Sequence, residues 1–387
     1  MAINFDEIID RNHTQSFKYD TARESGMGFN AIPLWIADMD FRVPDSVTAA
    51  LVKRTQHGIY GYSTIDDNYF DAVRSWFAKR HSWNVEPHWL VTTPGILPAV
   101  AAAVSALTKP NEAVLVHTPA YDRFNITVEK NNRRLIKSAL ILKDGRYEID
   151  FDDFEKKITK NSVKLYILCS PHNPIGRVWT LEELTQIGGI CLKHGVKIIS
   201  DEIFCDFVHA PNKHTVFAGI KQEFADITVT CTAPTKTFNM SGLAISNIFI
   251  ADDDIRDDFN DKLLANGIMG GGILPMLACR AAYENGAEWL DELLVYLAGN
   301  IAFVRNFLRD NLSNVKLIEP EGTYLLWLDF REFGLWANEL KAFTAYDAGV
   351  ILSSEAGAEG FLRVNAACPR SVLEKAMTKL AKAANAR

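Results

Sequence analysis

The sequence lacks the marks of disulfide-rich, zinc-binding, secreted and membrane proteins. Its six cysteines are scattered over 387 residues and form no C-x-x-C pair, so we expect neither a disulfide framework nor a zinc site, and no metal. Reduced thiols fit a cytoplasmic protein. The longest run of small and apolar residues, 95–107, is too short to cross a bilayer, and residues 1–10 carry acids where a signal peptide is apolar.

Several nucleotide and hydrolase motifs are also missing. The net charge is −7 without a basic cluster, which argues against nucleic-acid binding. No G-x-G-x-x-G follows a strand pattern, since Gly26-Met27-Gly28 is not continued, and there is no P-loop, H-E-x-x-H or G-x-S-x-G. His209 and His214 flank Pro211 in a pattern typical of a solvated loop rather than of metal ligands. Nicotinamide, nucleotide and zinc chemistry are therefore disfavoured.

From about residue 90 onward, short apolar segments alternate with helical patterns. A helix is predicted over 97–107, and Thr180 with Glu183 forms a capping box for another. The strands are predicted at 113–117, 163–169, 196–200, 227–230 and 246–250. This alternation indicates an α/β fold with a largely parallel sheet that is covered on both faces.

The pattern changes after about residue 280. Long helical patterns cover 287–307 and 371–386, and strands are predicted over 322–329 and 361–365. Ser371 and Glu374 are predicted to cap the last helix. We therefore predict an N-terminal segment (1–48) that packs with a small α+β domain (281–387), and a large domain (49–280) between them.

Four polar side chains follow predicted strands of the large domain: Tyr121, Asn173, Asp201 and Lys236. In open α/β sheets, ligands bind at the carboxyl ends of the strands, so we expect these residues to gather along one rim. Lys236 lies among small and apolar residues, and desolvation lowers the pKa of an ammonium group. A neutral lysine can attack a carbonyl carbon, as Schiff-base enzymes require.

Each candidate residue also has an ordinary structural interpretation. Lys236 fits an exposed loop, Asp201 fits a helix N-cap, Asn173 fits a turn between two prolines, and Tyr121 fits simple packing at the rim. The functional interpretations of Lys236, Asp201 and Tyr121 are a Schiff-base lysine, a carboxylate that keeps a ring nitrogen protonated, and a face on which a ring stacks.

Two further residues have the same ambiguity. Gly95 fits either a turn or a phosphate cradle at a helix N-terminus, and Arg363 fits either a structural ion pair or a carboxylate site. Taken together, the five functional interpretations (phosphate cradle, ring platform, acid for a ring nitrogen, Schiff-base lysine and carboxylate-binding arginine) describe a pyridoxal-phosphate enzyme that acts on an amino acid.

The chain resembles the pyridoxal-phosphate enzymes of aminotransferase class I/II, and within them the branch of cystathionine β-lyases (C–S lyases) that includes the bacterial maltose-regulon modulator. The resemblance runs nearly from end to end. Its most specific segments are ADMDF (37–41), GYS (61–63), TPAYD (118–122), SPHNPIGRVW (170–179), SDEI (200–203), KTFN (236–239), GTYL (322–325) and ACPR (367–370).

The resemblance implies an aminotransferase-like large domain with a mostly parallel seven-stranded sheet, a smaller α+β domain, and pyridoxal 5'-phosphate as the cofactor. Lys236 would hold the cofactor as a Schiff base, Asp201 would pair with the ring nitrogen, Asn173 would hydrogen-bond the ring hydroxyl, and Tyr121 would stack on the ring. Arg363 would bind the substrate carboxylate.

The same resemblance implies where the phosphate binds. Backbone N–H groups of Gly95, Ile96 and Leu97 would hold it with help from Thr235, and Tyr62 would reach the phosphate of a neighbouring subunit in a homodimer. No nucleic-acid or membrane partner is implied.

Two positions depart from the pattern of the family. Phe204 stands where the branch has histidine and related aminotransferases often have tyrosine, and a phenylalanine cannot donate a hydrogen bond to the ring hydroxyl. Ala244 stands eight residues after the lysine, where aminotransferases often have arginine, so that phosphate counter-charge is missing.

The resemblance implies a C–S β-lyase that acts on cystathionine- or cysteine-type L-amino acids and releases a thiol, pyruvate and ammonia. Two alternatives stay open: an aminotransferase on the same scaffold, and a regulatory cofactor-binding protein that acts through a protein partner. The residues named above do not separate the lyase from the aminotransferase. The side-chain pocket is expected in loops such as 267–272.

Overall fold

Fourteen strands and fourteen α-helices make up the computed structural model, which describes residues 3–24, 31–355 and 357–387. The strands are β1 Ile32–Pro33, β2 Leu90–Thr93, β3 Ala113–Thr118, β4 Arg134–Ala139, β5 Ile141–Lys143, β6 Arg146–Glu148, β7 Val163–Cys169, β8 Lys197–Asp201, β9 Thr228–Thr232, β10 Ser246–Ile250, β11 Lys316–Ile318, β12 Leu325–Asp329, β13 Val350–Ile351 and β14 Phe361–Asn365. The segment Gly26-Met27-Gly28, considered above, lies outside the described residues.

The helices surround the sheets on both sides. They are α1 Phe17–Glu24, α2 Asp45–His57, α3 Asp67–His81, α4 Ile96–Leu107, α5 Asp122–Lys130, α6 Phe151–Asn161, α7 Leu181–His194, α8 Gln222–Ala225, α9 Pro234–Thr237, α10 Asp253–Ala265, α11 Ile273–Asn285, α12 Ala287–Asn311, α13 Ala337–Ala342 and α14 Arg370–Asn385. Among the described residues, none of these helices is both long and apolar enough to span a membrane.

The central sheet has seven strands in the order β2-β10-β9-β8-β7-β3-β4. The five strands from β9 to β4 run parallel, and β10 is antiparallel to both of its neighbours. Every residue of β3, β9 and β10 is buried, as expected for strands that are covered on both faces. The predicted α/β fold with a mostly parallel sheet is confirmed.

A capping box begins α7, as predicted. The Thr180 hydroxyl accepts a hydrogen bond from the Glu183 N–H at 3.1 Å, and the Glu183 carboxylate accepts one from the Thr180 N–H at 2.8 Å. These two bonds satisfy donors that the first turn of a helix otherwise leaves unpaired. The helix therefore starts directly after the turn that carries Asn173.

The C-terminal part contains an antiparallel sheet in the order β11-β12-β14, which packs with α12 and α14. Its core includes Leu34 from the N-terminal segment, Ile301 and Val304 from α12, and Met377 and Leu380 from α14. Strand β1 pairs in parallel with β13, so the N-terminal segment is joined to this part by backbone hydrogen bonds. The domain boundaries at 48/49 and 280/281 stay predictions.

Two local predictions in the C-terminal part are wrong. The strand expected over 322–329 begins only at Leu325, because Thr323 has a left-handed backbone with φ of 67° and the chain turns there. The cap predicted from Ser371 and Glu374 does not form, since α14 already begins at Arg370 after Pro369, and Pro369 makes no side-chain cap. The extended backbone of Pro369 places Ser371 inside the first turn.

Candidate active site

A cavity of about 380 Å³ lies beyond the carboxyl ends of the central strands. It brings together nine of the ten residues predicted for the site: Gly95, Ile96, Leu97, Tyr121, Asn173, Asp201, Thr235, Lys236 and Arg363. Tyr62 does not line it, because its side chain is fully exposed in this single chain. The strand ends therefore collect the polar side chains along one rim, as the sequence indicates.

Lys236 lies in the short helix α9, which follows β9, and not in an exposed loop. Its Nζ donates to the backbone carbonyl of Ala37 at 2.6 Å and to the Ser241 hydroxyl at 3.3 Å. Burial lowers the pKa of Lys236 to about 8, although the charges of Asp38 and Asp201 act against that shift. A sizeable fraction of this lysine is therefore neutral and nucleophilic near physiological pH.

Asp201 is the last residue of β8 and is buried. Its carboxylate accepts a hydrogen bond from the Ile203 N–H at 3.1 Å, and burial raises its pKa to about 7. It does not cap a helix. Within the described parts of the chain, no lysine, arginine or histidine lies within ion-pair distance of it. A buried carboxylate without a cationic partner is the group that a protonated ring nitrogen needs.

The start of α4 forms another side of the cavity. Gly95 has φ of 106°, a conformation that glycine adopts readily, and only Pro98 would meet an added Cβ, at 4.0 Å. The backbone N–H groups in the first turn of a helix have no intrahelical acceptor, and the helix dipole adds positive potential there. Together with the Thr235 hydroxyl, this surface fits a phosphate. Ala244 lines the same cavity and brings no charge.

Asn173 and Arg363 contact each other inside the cavity. The Asn173 side-chain oxygen accepts from Nη1 of Arg363 at 2.9 Å, so its amide N–H groups remain as donors for a ligand. Tyr121 also lines the cavity, and its ring packs edge-on against Phe124 with centroids 5.5 Å apart. Burial raises the pKa of Tyr121, so its phenol stays protonated at neutral pH.

Arg363 forms an ion pair whose partner was not predicted from the sequence. Its Nη1 lies 2.5 Å from a carboxylate oxygen of Glu355, and both side chains are buried. Its Nη2 donates to the backbone carbonyl of Trp35 at 3.0 Å. The guanidinium thus lines the ligand cavity and is ion-paired at the same time.

The segment 35–41 crosses the site and was not assigned a role from the sequence. Besides receiving Lys236, the Ala37 carbonyl accepts from the Tyr324 hydroxyl at 3.0 Å. The Asn365 amide donates to the carbonyls of Ile36 and Asp38 at 2.7 and 2.6 Å. The signal in the sequence was the ADMDF run itself, an apolar segment interrupted by two acids.

Asp206 stabilises the short helix α9, which carries Lys236. The Thr237 hydroxyl donates to Asp206 at 2.7 Å, and the buried His81 ring lies 2.9 Å from the same carboxylate. The ligand atoms of His81, Cys205 and Asp206 lie within 4.8 Å of one another. This cluster was missed because His81 lies 125 positions from Asp206 in the sequence.

Other expectations about this region need correction. His214 and His209 are not solvated: Nε2 of His214 lies 2.7 Å from Glu202, and Nε2 of His209 lies 2.7 Å from the Thr323 carbonyl. Val208 of the same segment bridges to Gly322, and Glu202 directly follows β8, so contacts from both sides partly cover the two rings. In this single chain the loop 267–272 lines neither cavity next to Lys236, so its part in the side-chain pocket stays a prediction.

Phe204 lines the cavity and packs edge-on against Tyr324, with centroids 5.5 Å apart. Its ring supplies no hydrogen-bond donor, so neutral donors in the cavity come from other side chains, among them Asn173 and Tyr121. The side chain at position 204 therefore contributes no polar contact to the cavity.

Comparison with known proteins agrees with this geometry. The pattern of the family Aminotransferase class I and II matches residues 30–380. The chain belongs to this family.

Individual relatives are similar over their whole length. The chain is 43% identical to "Cystathionine beta-lyase PatB" of Bacillus subtilis, covering 98% of this chain and 99% of that protein. It is 32% identical to "Protein MalY" of Escherichia coli, covering 99% of each. Among solved structures, cystalysin of Treponema denticola, whose crystals contain a pyridoxal 5'-phosphate cofactor, superposes with a TM-score of 0.97 at 35% identity and full coverage of both chains.

Proposed function

We propose that this chain is a pyridoxal-phosphate-dependent C–S β-lyase that acts on L-amino acids of the cystathionine or cysteine type. The observation that carries the proposal is one cavity that holds a lysine of lowered pKa and a buried carboxylate without a cationic partner. The 43% identity to a cystathionine β-lyase, over nearly the whole of both chains, supports the lyase over other reactions of the family.

The residues of the cavity fit pyridoxal 5'-phosphate. Lys236 would hold its aldehyde carbon, Asp201 its ring nitrogen, and the Asn173 amide its ring hydroxyl, while Tyr121 would pack on the ring. Gly95, Ile96, Leu97 and Thr235 would hold the phosphate. When bound, this cofactor supplies a carbon that links to amino groups and a ring that takes up the electron pair released at Cα.

The protein's own groups then direct the reaction. Arg363 would orient the substrate through its carboxylate, and the neutral Nζ of Lys236 would remove the Cα proton. An ionised Asp201 would stabilise a protonated ring nitrogen. The electron pair left at Cα would form a Cα–Cβ double bond while the Cβ–S bond breaks with its electron pair on sulfur, and the proton on Nζ of Lys236 would pass to the leaving thiolate. Lys236 would then displace the resulting enamine, which takes up water and yields pyruvate and ammonia.

The alternative function is amino transfer, which the family includes. It needs the same lysine, aspartate and arginine up to the loss of the Cα proton, and differs in where the proton returns. A regulatory role through a protein partner is the third possibility, and it requires neither reaction.

Product analysis separates these functions. Purified holoenzyme is incubated with cystathionine or cysteine in the absence of a keto acid, and pyruvate is measured. We expect pyruvate to accumulate. Absence of pyruvate, with amino transfer once a keto acid is added, would establish the aminotransferase instead, and absence of both reactions would favour the regulatory role.

We also propose that the protein is a homodimer in the cytoplasm. The full exposure of Tyr62 supports the dimer, because a large aromatic side chain in an exposed loop can reach a neighbouring subunit's phosphate site. The six cysteines are all unpaired and buried, which fits a reducing compartment.

The lowered pKa of Lys236 predicts how pH controls cofactor capture. The neutral amine is the nucleophile, and it is populated above the pKa, so the rate constant for capture of pyridoxal phosphate by cofactor-free protein should rise with pH and level off above about 8. Stopped-flow absorbance between acidic and alkaline buffers measures this. A rate that levels off only near the pKa of ordinary lysines, about 10.4, would contradict the effect of burial.

A further inference from the structure

The guanidinium of Arg363 is occupied on several sides before any substrate arrives. Nη1 contacts the Glu355 carboxylate at 2.5 Å and the Asn173 oxygen at 2.9 Å, and Nη2 contacts the Trp35 carbonyl at 3.0 Å. The Nε donor is buried and has no hydrogen-bond partner among the described residues. A substrate carboxylate that approaches Arg363 therefore meets a cation whose charge is already balanced by Glu355.

Glu355 is held mainly by the arginine itself. Within the described part of the chain, its other carboxylate oxygen accepts one bond, from the Asp122 N–H at 3.3 Å. The charged and titratable groups that face Glu355 are Arg363 on β14, Tyr121 and Asp122 at the start of α5, and Lys341 on α13. Burial raises the pKa of Glu355, and the charge of Arg363 acts against that rise. The carboxylate is poorly hydrated and depends on one ion pair for its charge balance.

We propose that Glu355 is an internal competitor for the substrate carboxylate, which occupies Arg363 in the free enzyme and must give way when a substrate binds. This inference rests on the proposed function, because that function assigns the substrate carboxylate to Arg363. Binding is then an exchange of one carboxylate for another on the same guanidinium. Glu355 thereby lowers the affinity for substrate carboxylates and sets the concentration range in which the enzyme responds.

Replacement of Glu355 tests the exchange directly. The probe is 3-(methylthio)propionate, a carboxylate that has no amine and so cannot react with the cofactor, and its Kd for the holoenzyme is measured by calorimetry. In Glu355→Gln and Glu355→Ala, the probe no longer has to displace a carboxylate from Arg363, and a charge-assisted hydrogen bond is roughly twice as strong as a neutral one. We therefore expect the Kd of the probe to fall about tenfold. The KM for the amino-acid substrate should fall in the same direction.

The matched control is Glu359→Gln, which removes the same charge from an exposed position of the same segment. We expect it to leave the Kd unchanged. The pH dependence supplies a second readout: protonation neutralises Glu355, so the ratio of the wild-type Kd to the Glu355→Gln Kd should approach one as the pH falls through the pKa of Glu355. A purely structural role for Glu355 would not produce a gain of affinity.

A third variant, Arg363→Lys, separates the failure of this inference from the failure of the proposed role of Arg363. If Arg363→Lys weakens probe binding while both Glu355 variants bind no more tightly than the wild type, the competitor is overturned and the carboxylate site stands. If Arg363→Lys leaves the Kd unchanged, the carboxylate binds elsewhere and both are overturned. Tighter binding in both Glu355 variants, together with weaker binding in Arg363→Lys, is the result expected.

Discussion

Replacing Lys236 with alanine should abolish covalent attachment of the cofactor and nearly all activity. Lys236 is the amine that lines the cavity with a pKa lowered to about 8, and it is also the proposed base for the Cα proton. Loss of a positioned acid–base group typically costs about 10²–10⁴-fold in rate, and loss of the covalent link adds to this. Borohydride reduction followed by mass spectrometry of the denatured protein measures the attachment, with wild type carrying the cofactor mass and the variant lacking it.

Two further variants make this result specific. Lys236→Arg keeps the positive charge but cannot form a Schiff base, so it should also fail to retain the cofactor. Lys160→Ala removes an exposed lysine from the end of α6 and should behave as wild type. A reduced cofactor adduct that persists in Lys236→Ala would refute the assignment.

Replacing Asp201 with asparagine should leave the cofactor attached but cut turnover strongly. The amide has the same shape and cannot carry the negative charge that a protonated ring nitrogen requires. Removing one preorganised electrostatic contact from an active site typically costs on the order of 10²–10³ in kcat. The kcat for pyruvate release, measured at saturating cofactor, reports this loss, and the absorbance of the bound cofactor reports retention.

The control for Asp201→Asn is the same substitution at Asp257, an exposed residue of α10. It should leave kcat and cofactor absorbance unchanged. If Asp201→Asn retains kcat within about threefold of wild type, then the carboxylate does not hold the ring nitrogen, since a loss of that charge is worth far more.

Much of the site could be predicted from the sequence because its residues follow strands. Alternation of apolar segments and helices identifies β7, β8 and β9, and the polar residues after them fall at the same rim whatever the details of packing. Local sequence pattern was therefore enough to predict Asn173, Asp201 and Lys236 as residues of the site. Gly95 was accessible for a similar reason, since it stands directly before a helix.

The remaining features depend on contacts between distant segments, and local pattern carries no signal for them. Glu355 reaches Asp122 across 233 positions, and Lys236 reaches the Ala37 carbonyl across 199 positions. The predicted cap of α14 failed because Pro369 decides where that helix begins. His214 looked solvated because the sequence did not reveal its 2.7 Å contact with Glu202, which forms only when the chain folds back.

In the proposed reaction, the electron pair left at Cα expels a thiolate from Cβ, whereas amino transfer would return a proton and release no thiol. Simultaneous measurement of thiol and pyruvate over many turnovers, with cystathionine as substrate and no keto acid present, tests it most directly. We expect thiol and pyruvate in equal amounts, each far exceeding the enzyme concentration. Product that stops at one equivalent per active site, with no thiol released, would contradict it, because that is the outcome of a single half-transamination.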